Sequence, residues 1–147
     1  HKRIPPEEST CHSQEEFANL LKVEYRNHCV LSKENYNIKD DVGNILNTNL
    51  NACHIKPHKC KGPMRVENGL LLNRDLHWAF DRGCFTLSDK MEIIVHEKMK
   101  KSSLWKFNGI KIENPVDKTL KPNTEYIKFH RDNIFGRLKS LQSFNCP

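Results

Sequence analysis

The stretch from Cys53 to Asp81 constrains this chain most, because it holds metal-binding and acid–base residue types at short, ordered intervals. It contains an adjacent Cys53-His54 pair, then Asn68, and then His77 and Asp81 four positions apart. On a helix, residues at that spacing lie on one face with their Cβ atoms about 5–6 Å apart. One cation can then bridge His77 and Asp81.

The two ends of this stretch show local signals for a strand and a helix. Residues 50–55 favour a short strand that Pro57 ends, since proline cannot donate to a strand ladder. Cys53 and His54 then point to opposite faces, whereas Asn51 shares the face of Cys53 and is a further candidate to hold the metal or its water. Asn73 is a candidate N-cap for the helix, and Gly83 is a natural place for it to stop.

Further elements are predicted on both sides of the stretch. Ser13-Gln14-Glu15-Glu16 is a capping-box pattern, so a first helix with one buried face is expected after it. A hairpin is expected around residues 88–90, followed by a weak β segment over residues 104–112. Beyond Asn123 a last helix is expected. Each of the two helices has an apolar stripe. In the first helix the stripe consists of Phe17, Leu20, Leu21 and Tyr25. In the last helix it consists of Ile127, Ile134, Leu138 and Leu141, and His130 lies between these residues.

Three runs of residues carry a resemblance to a known family. They are Cys-His-Ile-Lys-Pro at 53–57, Asn-Gly-Leu-Leu-Leu at 68–72 and Leu-His-Trp-Ala-Phe-Asp at 76–81. They resemble the restriction-endonuclease-type HNH domain, whose pattern is Ala-His-Ile-x-Pro, Asn-Gly-Leu-Leu-Leu and x-Leu-His-x-x-Phe-Asp-x-Gly. Residues 29–32 and 129–131 also resemble its Cys-Val-Thr-Gly and Trp-His-Arg segments, so the order of parts agrees over residues 17–138.

The resemblance implies an α+β fold with a ββα-metal (HNH, His-Me finger) core. This core would be flanked by an N-terminal helix, an extra β-hairpin and a C-terminal helix. We expect an extended arm or linker over residues 1–12, the HNH endonuclease domain over 13–142 and a short tail over 143–147.

The resemblance also implies roles for the five residues of the opening stretch. His54 would be the general base, since a neutral histidine can activate water. Asn68 would orient the base or its loop, or touch the metal, although Asn-Gly is also a common turn. His77 would be a metal ligand and Asp81 its partner, the alternative for Asp81 being a salt bridge. Cys53 stands where this subfamily often has Ala, so we favour packing over ligation for its thiol.

The cofactor expected is one divalent metal ion, Mg²⁺ or Mn²⁺ in preference to Zn²⁺. A thiolate from Cys53 would instead select a soft or borderline ion such as zinc. A different possibility is a structural zinc held by Cys29, Cys60 and Cys84. The six cysteines contain no C-x-x-C pair, and we interpret most of them as reduced intracellular thiols.

The charge of the chain favours a polyanionic partner. Lys and Arg number 24 against 18 Asp and Glu, which gives a formal net charge of +6. Six basic residues surround the proposed metal and suit phosphate binding better than base reading. They are Lys56, Lys59, Lys61, Arg65, Arg74 and Arg82.

These features together predict a metal-dependent DNA endonuclease, the cleavage domain of a restriction or defence system. Double-stranded DNA is the expected partner, with a fused sensor or recognition domain and a homodimer as further options, and no membrane span is expected. The alternatives are a DNA-binding HNH module that has lost cleavage, or a zinc-stabilised interaction domain.

Overall fold

The computed structural model describes residues 11–34, 38–44 and 49–147 and has an α+β architecture. Two antiparallel strand pairs are combined with three α-helices, and short 3-10 turns connect them. The elements are α1 (Gln14–Glu24), β1 (Leu50–His54), β2 (Gly69–Asn73), α2 (Arg74–Asp81), β3 (Phe85–Leu87), β4 (Ile93–Val95) and α3 (Thr124–Asn133). The predicted ββα unit with its flanking helices and hairpin is therefore confirmed.

The strand pair β1–β2 and the helix α2 form the core unit. Leu50 lies opposite Asn73 and His54 lies opposite Gly69 in the antiparallel register. Because α2 starts directly where β2 ends, it folds back beside β1. The Oδ1 atom of Asn73 accepts a hydrogen bond from the backbone N–H of Leu76 at 2.8 Å, which confirms Asn73 as the N-cap.

Glycine is required at both ends of this unit. A Cβ atom at Gly69 would lie 2.7 Å from Cδ1 of Leu21 and 2.8 Å from Cζ of Phe17, so glycine lets α1 approach the strands. Gly83 ends α2 with a φ of +74°, and a Cβ atom there would lie 2.1 Å from the carbonyl oxygen of Ile134. The predicted stop at Gly83 is confirmed.

Helix α1 begins at the predicted capping box and packs on the β1–β2 pair. The Oγ atom of Ser13 accepts a hydrogen bond from the backbone N–H of Glu16 at 3.1 Å. Phe17, Leu21 and Tyr25 are fully buried, as predicted, whereas Leu20 is 39% exposed. The buried stripe is therefore narrower than the sequence pattern suggested.

The prediction of a weak β segment over residues 104–112 is wrong for the first half of that range. Residues Ser103–Phe107 form a 3-10 helix, and the Oγ atom of Ser102 caps it by accepting from the N–H of Leu104. Only after the turn at Gly109 does the chain lie beside β4, where the Gly109 N–H donates to the carbonyl of Ile93. A serine cap and the return turn outweigh the β propensity of the apolar residues between them.

The last helical stripe also extends further than the helix. Helix α3 ends at Asn133, and Gly136 (φ +85°) and Leu138 (φ +56°) adopt left-handed backbone conformations that stop it. Leu138 therefore lies outside α3, and Leu141 begins a separate 3-10 turn.

His130 of α3 is a structural histidine with both ring nitrogens bonded. Its Nδ1 lies 2.8 Å from Oγ1 of Thr86, and its Nε2 lies 2.9 Å from the carbonyl oxygen of Phe80. The imidazole also stacks on the Phe80 ring at 3.7 Å between centroids. Burial is the main cause that lowers the pKa of His130 to about 4, so it is neutral at pH 7.

This buried histidine should make the fold acid-sensitive. The unfolded chain takes up a proton at His130 near pH 6.5, whereas the folded chain does so only near pH 4. The contribution of His130 to the free energy of unfolding is thus present above pH 6.5 and is lost as the pH falls toward 4. Between pH 7 and pH 5 the free energy of unfolding should fall by about 2 kcal/mol. Urea unfolding at both pH values should show this loss, and it should shrink in His130→Gln. An unchanged pH dependence in that variant would contradict the assignment.

The cysteines differ from the sequence-based interpretation. Cys60 and Cys146 form a disulfide, so the zinc site proposed for Cys29, Cys60 and Cys84 is wrong. Cys11, Cys29, Cys53 and Cys84 are free, buried thiols, in agreement with the reduced state expected for most of the six.

The disulfide anchors a C-terminal strap, residues 141–146, to the loop that follows β1. Phe144 of the strap is buried in a small apolar cluster with Cys60 and Ile134. The Lys59 ammonium donates to the backbone carbonyls of Leu141 (2.9 Å) and Phe144 (2.6 Å). In the described part of the chain no helix is long and apolar enough to cross a membrane.

Candidate metal and catalytic site

Three side chains with metal-binding atoms meet between β1 and α2. The ligand atoms of Cys53, His77 and Asp81 all lie within 4.8 Å of one another. Nε2 of His77 lies 3.1 Å from Oδ2 of Asp81, as the four-residue spacing predicted. The Cys53 thiol points to Oδ1 of the same carboxylate at 3.7 Å. The structure thus brings together all three residues that the sequence proposed as ligands.

Asn51 fixes the orientation of the His77 ring. Its side-chain amide lies 3.1 Å from Nδ1 of His77, on the same strand face as Cys53. An amide offers either an oxygen or an NH₂ group at this position. In the structure the NH₂ group of Asn51 faces Nδ1 and donates to it, so the ring proton lies on Nε2 and points to Asp81. Turning the amide over would present its oxygen to a protonated Nδ1 and leave the lone pair on Nε2 for a metal ion, which is the usual arrangement around a ligating histidine.

Cys53 is in a poor state to act as a ligand for a hard cation. Its side chain is fully buried, and burial followed by the neighbouring Asp81 carboxylate raises the pKa of the thiol well above its usual value. A protonated thiol donates to Asp81 and leaves that carboxylate and His77 as the donor pair. An imidazole and a carboxylate fit Mg²⁺, Mn²⁺ or Zn²⁺, and only a Cys53 thiolate would restrict the choice to zinc.

His54 occupies the opposite face of β1. Its ring packs on Phe17 of α1 at 4.7 Å between centroids, and the exposed His58 lies 5.8 Å away. Burial, reinforced by electrostatic repulsion from the neighbouring His58, lowers the pKa of His54 to about 4, so the imidazole of His54 is neutral at pH 7.

The Nε2 atom of His54 has no hydrogen-bond partner within the described part of the chain, although it is buried. Buried polar atoms are nearly always bonded, so an orphaned ring nitrogen needs an explanation. In the tautomer with the proton on Nδ1, Nε2 carries the lone pair and can accept a proton from a bound molecule, because no described residue bonds to it.

Asn68 fastens the loop that follows the His54 strand. It is fully buried, and its Oδ1 accepts from the backbone N–H of Lys56 at 2.8 Å. Its NH₂ group donates to the carbonyls of Lys56 (3.1 Å) and Pro63 (3.0 Å). Of the roles weighed from the sequence, this geometry matches the orientation of the base loop.

Most of the six basic residues proposed to surround the metal interact with other groups of the protein. Lys59 is held by the C-terminal strap, as described above, and Arg65 pairs with Glu67 at 3.2 Å. The Lys56 ammonium lies 4.9 Å from the ring centre of Phe129, and the Arg82 guanidinium lies 4.2 Å from that of Trp78. Lys61 and Arg74 are exposed.

Three residues near the site were not singled out from the sequence. Phe17 contacts the His54 ring, His58 shifts its pKa, and Trp78 projects from α2 with 56% of its surface exposed. The four-residue spacing of His54 and His58 was a readable signal. No local pattern could show that Phe17 would reach His54, since α1 and β1 are distant in sequence.

The fold combines a ββα core with three candidate metal ligands, and comparison with known proteins agrees with the resemblance to the HNH endonucleases. A family model described as HNH endonuclease matches residues 29–88. These residues include the candidate base and all three candidate ligands, so the resemblance to the HNH endonucleases is confirmed.

A solved structure described as "Modification dependent TagI restriction endonuclease" has the same fold. The match has a TM-score of 0.54 and 18% sequence identity, and it covers 84% of this chain but 44% of that chain. The chain therefore spans less than half the length of this structural relative. No curated protein matches the chain.

Proposed function

We propose that this chain is a metal-dependent DNA endonuclease and the cleavage domain of a restriction or defence system. The observation that carries the proposal is the neutral ring of His54, whose buried Nε2 has no hydrogen-bond partner among the described residues, on the strand that also brings Cys53 to His77 and Asp81. The likeness to a restriction endonuclease supports the biological setting, and the net charge of +6 supports a polyanionic substrate.

In this proposal His54 accepts the proton of the water that attacks the phosphodiester. The oxygen–phosphorus bond to the water forms as the bond to the leaving oxygen breaks. Asn68 keeps the loop after His54 in place, so the base stays aligned with the attacking water. The exposed Lys61 and Arg74 would bind neighbouring phosphates of the backbone.

His77 and Asp81 would hold one divalent cation, with Asn51 fixing the His77 ring. Such an ion stabilises negative charge on the phosphate and on the leaving oxygen as a Lewis acid. Mg²⁺ or Mn²⁺ suits these two donors while Cys53 stays a protonated thiol.

The test is cleavage of supercoiled plasmid by the wild-type chain and by Cys53→Ala, with EDTA, Mg²⁺, Mn²⁺ or Zn²⁺ supplied in turn. Cleavage is expected with Mg²⁺ or Mn²⁺ in both proteins, and EDTA should abolish it. The rates of the two proteins should agree within a few fold, because alanine removes a buried thiol that donates to Asp81 but does not bind the metal in this proposal.

Two results would change the conclusion. Cleavage that needs Zn²⁺ and disappears in Cys53→Ala would make Cys53 a ligand. DNA binding with no cleavage under any ion would favour an HNH module that has lost its activity.

A further inference from the structure

A cavity of about 720 Å³ lies on the side of α2 that faces away from β1. Its size falls within the roughly 300–1,000 Å³ that is usual for small-molecule sites. Helix α2 forms one wall, and the 3-10 segment at residues 103–107 forms another. The residues that matter for the argument are Asp75, Leu76, Trp78, Ala79, Met99 and Phe107.

Trp78 stands between this cavity and the candidate metal site. It lies three positions after Asp75, which lines the cavity, and three positions before Asp81, the candidate ligand. Residues three apart on a helix are surface neighbours, so the indole is adjacent to both. A molecule held at Asp81 can therefore extend over Trp78 into the cavity.

The exposure of Trp78 is unusual for so large an aromatic side chain. More than half of its surface, 56%, is open to solvent, and the Arg82 guanidinium lies 4.2 Å from the centre of its ring. Arg82 covers one face of the indole and places a positive charge beside it, where it can meet a phosphate, while the other face of the indole offers a flat surface for stacking.

The lining of the cavity selects the kind of ligand. Leu76, Ala79, Met99 and Phe107 give the cavity an apolar wall. Its polar lining consists of carboxylates, an ammonium group, an amide and hydroxyls, from Asp75, Glu34, Lys106, Asn73, Ser32, Ser102 and Ser103. A carboxylate inside the cavity disfavours a phosphate but suits a flat group with N–H donors. A nucleobase has this combination of an apolar face and polar edges.

We propose that this cavity binds a nucleobase of the DNA substrate that has left the base stack. The base stacks on Trp78 and donates to Asp75, while Arg82 contacts the phosphate between the cavity and the metal site. The inference rests on the proposed function, because it takes its ligand from the strand bound at His77 and Asp81.

The energetics predict which DNA is preferred. Stacking of a base on an aromatic side chain strengthens binding whatever the base. Extruding a base from an intact duplex costs free energy, and the cost is smallest for a base that is already unpaired. DNA with one unpaired base should therefore bind more tightly than the intact duplex.

The test measures binding by His54→Ala with Mg²⁺ present, so that the strand can be held at His77 and Asp81 while cleavage is slow. Two short duplexes are compared that differ only by one unpaired base. This protein should bind the duplex with the unpaired base about tenfold more tightly, which corresponds to about 1.4 kcal/mol. Added to His54→Ala, Trp78→Ala should abolish this preference, Trp78→Phe should keep most of it, and Asp75→Asn should weaken it.

The chain has two tryptophans, which gives a second readout. Trp105 does not line the cavity, so Trp105→Phe serves as a matched control and leaves Trp78 as the sole source of indole fluorescence. In that protein the duplex with the unpaired base should quench the fluorescence more than the intact duplex does.

Equal affinity for the two duplexes, or a preference that survives Trp78→Ala, would overturn the inference. If plasmid is still cut under those results, the proposed function stands and only the base-binding cavity is lost. If the chain neither binds DNA nor cuts it, both proposals fail, and a partner protein becomes the better candidate for the cavity.

Discussion

Replacing His54 with alanine is expected to lower the rate of DNA cleavage by roughly 10²–10⁴-fold, the usual contribution of a general base. The neutral imidazole has an Nε2 atom that is unbonded among the described residues, and no other described side chain shares this combination beside the candidate metal ligands. The measurement is the single-turnover rate of plasmid nicking with the ion found to support cleavage. Binding of the metal and of DNA should change little, because His54 belongs to neither set of contacts.

His58→Ala is the matched control for this variant. His58 is an exposed histidine whose ring lies 5.8 Å from that of His54. Its replacement therefore tests whether losing any histidine near the site lowers the cleavage rate. Its rate should stay within a few fold of the wild type. Equal rates for wild type and His54→Ala would remove His54 from the mechanism, and a large loss in His58→Ala alone would transfer the role to that residue.

Replacing Asn68 with alanine is expected to lower the free energy of unfolding by about 3 kcal/mol and the cleavage rate on the order of 10²-fold. The change leaves the N–H and carbonyl of Lys56 and the carbonyl of Pro63 without the amide that now bonds them. Because those groups belong to the loop directly after β1, their release would loosen the position of the base. Urea unfolding and single-turnover cleavage measure the two effects.

Asn123→Ala separates loss of stability from loss of alignment. Asn123 caps α3 by accepting from the N–H of Glu125 at 2.8 Å, so its replacement should cost about 1 kcal/mol without touching the base loop. Cleavage by this variant should be close to normal at a temperature where it stays folded. If Asn68→Ala cuts at the wild-type rate despite its lower stability, Asn68 is a structural residue without influence on the base.

The parts of the fold that the sequence predicted are those set by local chemistry. The caps at Ser13 and Asn73 and the stop at Gly83 are each decided by hydrogen bonds or backbone angles within a few residues. The predictions that were wrong, a strand from residue 104 and a helical stripe reaching Leu141, depended on apolar spacing alone. A serine cap and left-handed residues then overrode that spacing.

The candidate site likewise has parts that local sequence predicts and parts that it does not. The approach of His77 to Asp81 follows from helical geometry, and their approach to Cys53 follows from a strand that pairs beside the helix. The lowered pKa of His54 could not be predicted from local sequence. It depends on Phe17, which packs on the His54 ring, and on Asn68, which holds the loop after His54, and both residues are distant from His54 in sequence. The pairing of Cys60 with Cys146 was likewise beyond the sequence, since six cysteines allow 15 complete pairings.

The Cys60–Cys146 disulfide closes a covalent ring whose ends are 86 positions apart in sequence. The ring contains α2, β3, β4 and α3, and with them His77 and Asp81, whereas the base strand β1 lies outside it. A protease that cuts the chain once within the ring would therefore leave two fragments that stay joined until the disulfide is reduced. After such a cut the candidate ligands and the candidate base would still be covalently linked in one molecule.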